Sequence, residues 1–465
     1  MSKILKGEEA KQALLEGTST IGDAVLSTFG PNGHNVIVSN PEGRFITKDG
    51  VSVAKEVNAY GEPQNEAIQM LKEACLLTNS QAGDGTTTSM LFAKTIIEEG
   101  MKLDTNGIII KREMEACLPK IIERIDTYKR ACTIDDIYNI ALVSTNNDKF
   151  ISDIILKVFS NNLEADILFD ISSTKETTTE FIEGYSIDGS AYDDQYDYLS
   201  NTLTDAYVYV VDGKVNSLRD MRGVLENMKN DNQYVIIAEE FSKDLQKVIY
   251  NNRSFFNIKL IKSPGYSQGR KMILENIAAY VGVNVITPKQ FYKASLTKTI
   301  TTFSNKNGRL IFHNIESNPN LKSRIEFLNS KMTNTTDSFE KEQLSNLLSK
   351  FNSGISIVNI GAKSEIEYRE LHDKLEDAVN ACKSALKDGI VLGGGITALE
   401  VSEDIDNEIL KIALQAPHKL LNKPSKESII ENNIYDPALV LKCAIINAIA
   451  VAGTILTTNV IVINE

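Results

Sequence analysis

The segment Ala82-Gly83-Asp84-Gly85-Thr86-Thr87-Thr88 has the residue types to hold a metal-bound polyphosphate. It falls where one helical pattern (Ala67, Met70, Leu71, Ala74, Leu77) stops and another (Met90, Ala93, Ile97, Met101) begins. A helix opening at Thr86 leaves its first backbone N–H groups unpaired, with the positive end of its dipole beside them. Gly83 and Gly85 let the backbone approach a ligand closely. Three hydroxyls add donors, and Asp84 offers a hard oxygen to Mg2+. Taken alone, the same residues also read as a capped turn.

Two further segments carry compatible chemistry. Thr28-Phe29-Gly30-Pro31 ends the first helical pattern (Ala10, Ala13, Leu14, Ile21, Val25) with a Gly-Pro stop. Strand-like runs Asn35–Ser39 and Arg44–Thr47 follow, and the second delivers Lys48-Asp49-Gly50. Lys48 can neutralise phosphate, and Asp49 can hold a metal or orient a water. Much later, Gly389–Leu392 reads as a strand, and Gly393-Gly394-Gly395 bends it into another helix. Adjacent glycines mark a close backbone approach, to a ligand or to a packed helix.

The elements that must position these residues are mixed in type. Up to about residue 128 the chain is dominated by long helical patterns with one hairpin. From Ala206 onward strand-like and helical segments alternate. Strands are expected at Tyr207–Val211, Tyr234–Ala238 and Ile258–Ile261, with helices near Leu218–Met228 and Ser242–Asn251 between them. That alternation implies a parallel or mixed sheet covered by helices. Two helices split by Thr333-Asn334-Thr335-Thr336 occupy Asn320–Phe351, after which the chain returns to helix-rich segments. A helical block at each end around an α/β centre suggests nested, discontinuous domains.

Composition narrows the function classes. The 465 residues carry 24% charged and 42% hydrophobic residues and a net charge of −13, which argues against nucleic acid or an anionic membrane as a main partner. The apolar run Cys443–Leu456 is interrupted by Asn447 and reads as a buried helix. Five scattered cysteines indicate a reducing compartment and no zinc site. The four histidines (His34, His313, His372, His418) have no recognisable partner in sequence and read as structural or surface residues. The N-terminus is charged at once and contains no signal-peptide core, so a cytoplasmic location is expected.

Taken in order, Gly30-Pro31, Ile46-Thr47-Lys48-Asp49-Gly50-Val51, Ala82–Thr88, Leu375-Glu376-Asp377-Ala378 and Gly393–Gly395 closely resemble the group I chaperonins, from about Gly7 to the C-terminus. The resemblance implies a multidomain α + α/β fold with nested domains: an equatorial ATP-binding domain at 1–127 and 388–465, an intermediate hinge domain at 128–182 and 356–387, and an α/β apical client-binding domain at 183–355. It implies an ATPase that encloses non-native polypeptides in a homo-oligomeric ring, by resemblance a heptamer, with or without a co-chaperonin lid. Its cofactors would be ATP and Mg2+, with K+ as a further candidate ion. A ring-forming holdase or scaffold with weak ATP turnover is the alternative.

The resemblance also assigns residues. Asp377 would position or deprotonate the attacking water, Asp49 would assist hydrolysis, and Asp84 would bind Mg2+. The nucleotide would lie against Thr28, Phe29, Gly30, Pro31, Lys48, Asp49, Gly50, Gly85, Thr86, Thr87, Thr88, Ser144, Gly393, Gly394 and Asp436, with Asp436 near the ribose. Leu225, Leu245, Ile249 and Tyr250 would contact clients, with Tyr192 and Tyr196 as shifted aromatics; Arg222 stands where the family has an apolar residue. Between Gly395 and Asp436 the chain is far shorter than in typical members, and the hairpin carrying the family's adenine contacts and part of its ring-to-ring surface is missing. A single ring is therefore expected to be well populated, with Thr457–Ile463 and Asn35–Ser39 pairing between neighbouring subunits. Such compaction fits a divergent, phage-borne member, whose compartment would be the host cytoplasm.

Overall fold

The computed structural model describes residues 3–41, 43–172, 174–188, 202–229, 232–252, 255–265, 267–294, 300–306, 309–313, 319–352 and 354–463. The expected Tyr192 and Tyr196 lie outside these residues. The chain divides into two compact units, residues 1–157 with 362–465, and residues 158–361.

The first unit is a helical assembly drawn from both ends of the chain. The helix Glu8–Leu26 turns Ala10, Ala13, Leu14, Ile21 and Val25 inward, the period read from the sequence. Each of its larger aliphatic side chains contributes roughly 1.5–3 kcal/mol on burial. The helices Asn65–Ala82, Thr86–Gly100 and Gly107–Tyr128 pack against Ala438–Thr457 in one core. The last helix is long and apolar enough to cross a membrane, but most of it is buried here against its three neighbours. The predicted hairpin appears as Val36–Asn40 paired with Gly43–Thr47. The C-terminal strand Val460–Ile463 pairs antiparallel with Lys3–Lys6, a partner within the chain that the sequence did not suggest.

The second unit is the expected α/β body. Thr202–Val215, Gln233–Phe241 and Ile258–Lys262 run parallel in a seven-stranded sheet whose antiparallel side is formed by Gly184–Asp188, Ile300–Lys306 and Arg309–His313. Val208 and Val210 face one core, and Tyr209 and Val211 the opposite one, because successive side chains alternate across a strand. The helices Ser267–Val281, Pro319–Asn334 and Ser338–Asn352 supply Leu274, Leu328 and Leu344 to the first core, and Lys243–Asn251 supplies Leu245 and Ile249 to the second. A separate three-stranded sheet joins Asp166–Ile171, Ile355–Ile360 and Thr178–Ile182.

Candidate active site

In the first unit a cavity of about 920 Å³ gathers the three glycine-bearing segments. Gly83, at φ +68°, ends the Asn65–Ala82 helix in the left-handed region, and Gly85, at φ +93°, opens the Thr86–Gly100 helix. Two left-handed residues two positions apart turn the chain sharply, so Asp84 and the N-terminus of the second helix face the same space. Asp84 accepts a hydrogen bond of 2.5 Å from the Gly85 N–H. Gly50 lies so close to this loop that a β-carbon there would come within 2.4 Å of the Thr87 Oγ1. The lack of a side chain at Gly50 lets the Lys48-Asp49-Gly50 turn sit close against the threonine run.

The cavity lining includes Thr28, Phe29, Gly30, Pro31, Lys48, Asp49, Gly50, Asp84, Gly85, Thr86, Thr87, Thr88, Ser144, Asp377, Gly394 and Asp436. Gly393 sits just behind, where a β-carbon would approach the Asp436 Oδ1 to 3.0 Å. Residues separated by more than 300 positions therefore share one space. Asp49 also caps a helix. Its carboxylate accepts from the N–H groups of Val51 (3.0 Å) and Ser52 (2.7 Å) at the start of Gly50–Glu56. Thr28 donates its hydroxyl to the Val25 carbonyl at 2.8 Å, so it closes the first helix as well as lining the cavity.

Asp49, Asp84, Asp377 and Asp436 share this space with Glu365, Glu370 and Asp373. Burial pushes the Asp84 carboxyl up to about 6, with Asp49 adding to the rise and the Gly85 N–H opposing it. Burial also raises Asp436 to about 6, with Asp84 adding to it. Asp377, on the helix Glu365–Asp388, is raised well above the ordinary range by burial and by the negative charges of Asp49 and Asp84. Repelling, poorly solvated carboxylates favour a bound cation. Lys48 is pushed down by burial and by the neighbouring Lys374 charge, and among the described residues it has no carboxylate partner. Acids waiting for a metal and an ammonium waiting for an anion are what a metal-bound phosphate chain would satisfy.

Orphaned polar atoms agree. The Oγ1 of Thr86, the Oγ of Ser144 and the Oδ1 of Asn79 are buried with no hydrogen-bond partner among the described residues, and all three residues line the cavity. Asn79 escaped the sequence reading, because an Asn in the last turn of a helix looks like an ordinary C-terminal residue. Its backbone carbonyl accepts from Gly83 at 2.7 Å, so the side chain and the turn are set together. His372 also has neighbours the sequence did not reveal: Asp373 holds its pKa up, and Glu376 adds to the effect.

The proposed client contacts stand differently. Leu245 and Ile249 are 2% and 1% exposed and pack under their helix against the sheet, so they are core residues rather than an open groove. The amphipathic face of Lys243–Asn251 points toward Ile236, Ala238 and Leu260, which consume it. Leu225 and Tyr250 are half-buried, Leu225 against the same core. Arg222 is exposed and pairs with Glu226 at 2.6 Å and the Tyr292 hydroxyl at 3.1 Å.

Residues 21–413 match the TCP-1/cpn60 chaperonin family, and the chain belongs to it. Its fold is shared with the chaperonin gp146 of the bacteriophage EL 2 (Pseudomonas aeruginosa), solved in two crystal forms in the presence of ATP-BeFx. Crystal form I superposes with a TM-score of 0.76 and form II with 0.73, each at 19% identity over 99% of both chains.

Proposed function

We propose that this chaperonin binds and hydrolyses ATP and uses that cycle to fold non-native polypeptides inside a homo-oligomeric ring. The observation that carries the reading is the convergence of Asp49, Asp84 and Asp377 with the unpaired start of the Thr86–Gly100 helix in one cavity. Asp84 offers the metal ligand, and Thr86–Thr88 with Lys48 hold the phosphate oxygens. With Asp84 as its ligand, Mg2+ when bound would supply charge neutralisation at the phosphates. Asp377, kept basic by burial and by its acidic neighbours, would take a proton from the attacking water. Asp49 fixes the turn that carries Lys48.

The division into equatorial, intermediate and apical domains belongs to the same proposal, as does a cytoplasmic site of action. So does the ring, taken as seven subunits by resemblance. Two open strand pairs support the ring. Ile4, Val460 and Val462 are exposed on one, and Ile37 and Ile46 on the other. Steady-state phosphate release with a denatured client, alongside sedimentation with and without ATP, tests the proposal. Phosphate release, client refolding and a ring-sized species are expected. Loss of all three overturns it, whereas a ring with client binding but no turnover selects the scaffold alternative.

A further inference from the structure

Three buried hydroxyls on helices of the first unit, those of Thr18, Thr78 and Thr145, donate one turn back along their own helix, to the carbonyls of Leu14, Ala74 and Ala141. Ser384, on the helix Glu365–Asp388, reaches across instead. Its hydroxyl donates to the Ala82 carbonyl at 2.6 Å, and both residues are buried. Ala82 is the last residue of Asn65–Ala82, so its carbonyl is one that a helix end leaves without an internal partner. Asn380, one turn before Ser384, lies on the next residue of the loop: a β-carbon on Gly83 would come within 2.4 Å of the Asn380 Cβ. Asp377, Asn380 and Ser384 follow at spacings of three and four, along one face of their helix. The face that puts Asp377 in the cavity is therefore the face fastened to the start of the Gly83-Asp84-Gly85 loop.

The loop is held from a second side. Asn447, buried in the apolar helix Ala438–Thr457, donates its amide to the Thr78 Oγ1 at 3.0 Å and to the Gln81 Oε1 at 3.1 Å. The end of Asn65–Ala82 thus has a fixed base, and the Ser384 bond sets the other helix over it. Ser384 is not among the residues that line the cavity. At 1.5 Å per residue it sits about 10 Å along the helix from Asp377, out of reach of any group bound at the threonine run. An effect of Ser384 on the chemistry has to pass through Asp377.

On the nucleotide reading above, we propose that Ser384 is a positioning residue for hydrolysis: by closing the open carbonyl of Ala82 it holds Asp377 in register with the loop that carries Asp84. Small misplacements of a reacting group cost up to about 10²-fold in rate, and the loss here is bounded by that of removing Asp377 itself. Single-turnover phosphate release by the full chain at saturating Mg2+-ATP, beside calorimetric binding of Mg2+-AMP-PNP, tests this. Ser384→Ala should slow release by about tenfold and leave the affinity within about twofold. Ser384→Cys keeps the volume but donates weakly, so it should slow release in the same direction and serves if the alanine variant does not fold. On an Asp377→Ala background Ser384→Ala should add no further loss, because the group it positions is gone. Release at the wild-type rate by both variants overturns the inference. So does a parallel loss of affinity, or an undiminished slowing on the Asp377→Ala background, either of which assigns Ser384 to general integrity of the fold. A wild-type chain that releases no phosphate overturns the nucleotide reading itself and the positioning role with it.

Discussion

Arg130 grips Asp136 with two parallel hydrogen bonds of 2.7 Å, while its guanidinium lies over the Tyr435 ring at 4.5 Å. The Arg130 backbone exchanges two further bonds with Ile390, at 2.9 and 2.8 Å. One residue thus ties the Ile134–Ser144 helix to both segments that lead into the cavity, because Tyr435 precedes Asp436 and Ile390 begins the strand that ends at the glycine bend.

Arg130→Ala should destabilise the protein by about 1–2 kcal/mol, less than a fully buried pair because the arginine is half exposed. The Arg130 hydrogen bonds hold the Asp136 carboxyl down to about 2. A carboxylate lowered in the folded state stabilises above its ordinary value and loses that contribution as pH falls. The gap between wild type and variant in urea unfolding should therefore be full at pH 7 and close between about pH 4 and pH 2.

Asp377→Ala should leave ATP binding nearly intact and slow hydrolysis by about 10²-fold, the usual loss for a general base. Single-turnover phosphate release beside an equilibrium binding curve separates the two. Hydrolysis at the wild-type rate would remove Asp377 from the proposed chemistry.

Asp84→Asn should act in opposite directions with and without ligand. A carboxyl raised to about 6 costs stability once ionised, so its penalty is absent below about pH 4 and fully present above about pH 6. At pH 7.5 the ligand-free variant should be more stable than wild type by about 1–2 kcal/mol. The gain in melting temperature on adding Mg2+ and ATP should shrink, because a metal ligand has gone. Thermal scans at two pH values, with and without Mg2+-ATP, check both.

Leu245→Ala should cost about 2–4 kcal/mol in unfolding free energy, the penalty of a cavity in a packed core. A client contact on an open surface would instead lower client binding at unchanged stability. Denaturant unfolding decides between the two placements.

Much of the molecule was legible because helices and strands bury opposite periods. Ala10, Leu14, Ile21 and Val25 announce a helix face, and Tyr234–Ala238 a strand buried on both sides. The proposed phosphate loop was legible because Gly83 and Gly85 must be glycines for Asp84 to turn inward. An amphipathic period says only that a face is apolar, not what covers it, so Leu245 and Ile249 could not be placed before the sheet beneath them was seen. Asn79 carries no motif: its place in the cavity comes from what packs near it across hundreds of residues.

The pairing of Lys3–Lys6 with Val460–Ile463, and the place of Ala438–Thr457 among three helices of the first hundred and thirty residues, bear on how the polypeptide is made. A ribosome releases Asn65–Ala82, Thr86–Gly100 and Gly107–Tyr128 long before the helix that covers them. The continuous 158–361 unit holds all its own strands and can close as soon as it emerges. Until the last segment leaves the exit tunnel, the nascent chain carries bare that part of the three helices' apolar faces which Ala438–Thr457 covers. A protein proposed to shelter unfinished chains passes through that same exposed state during its own synthesis.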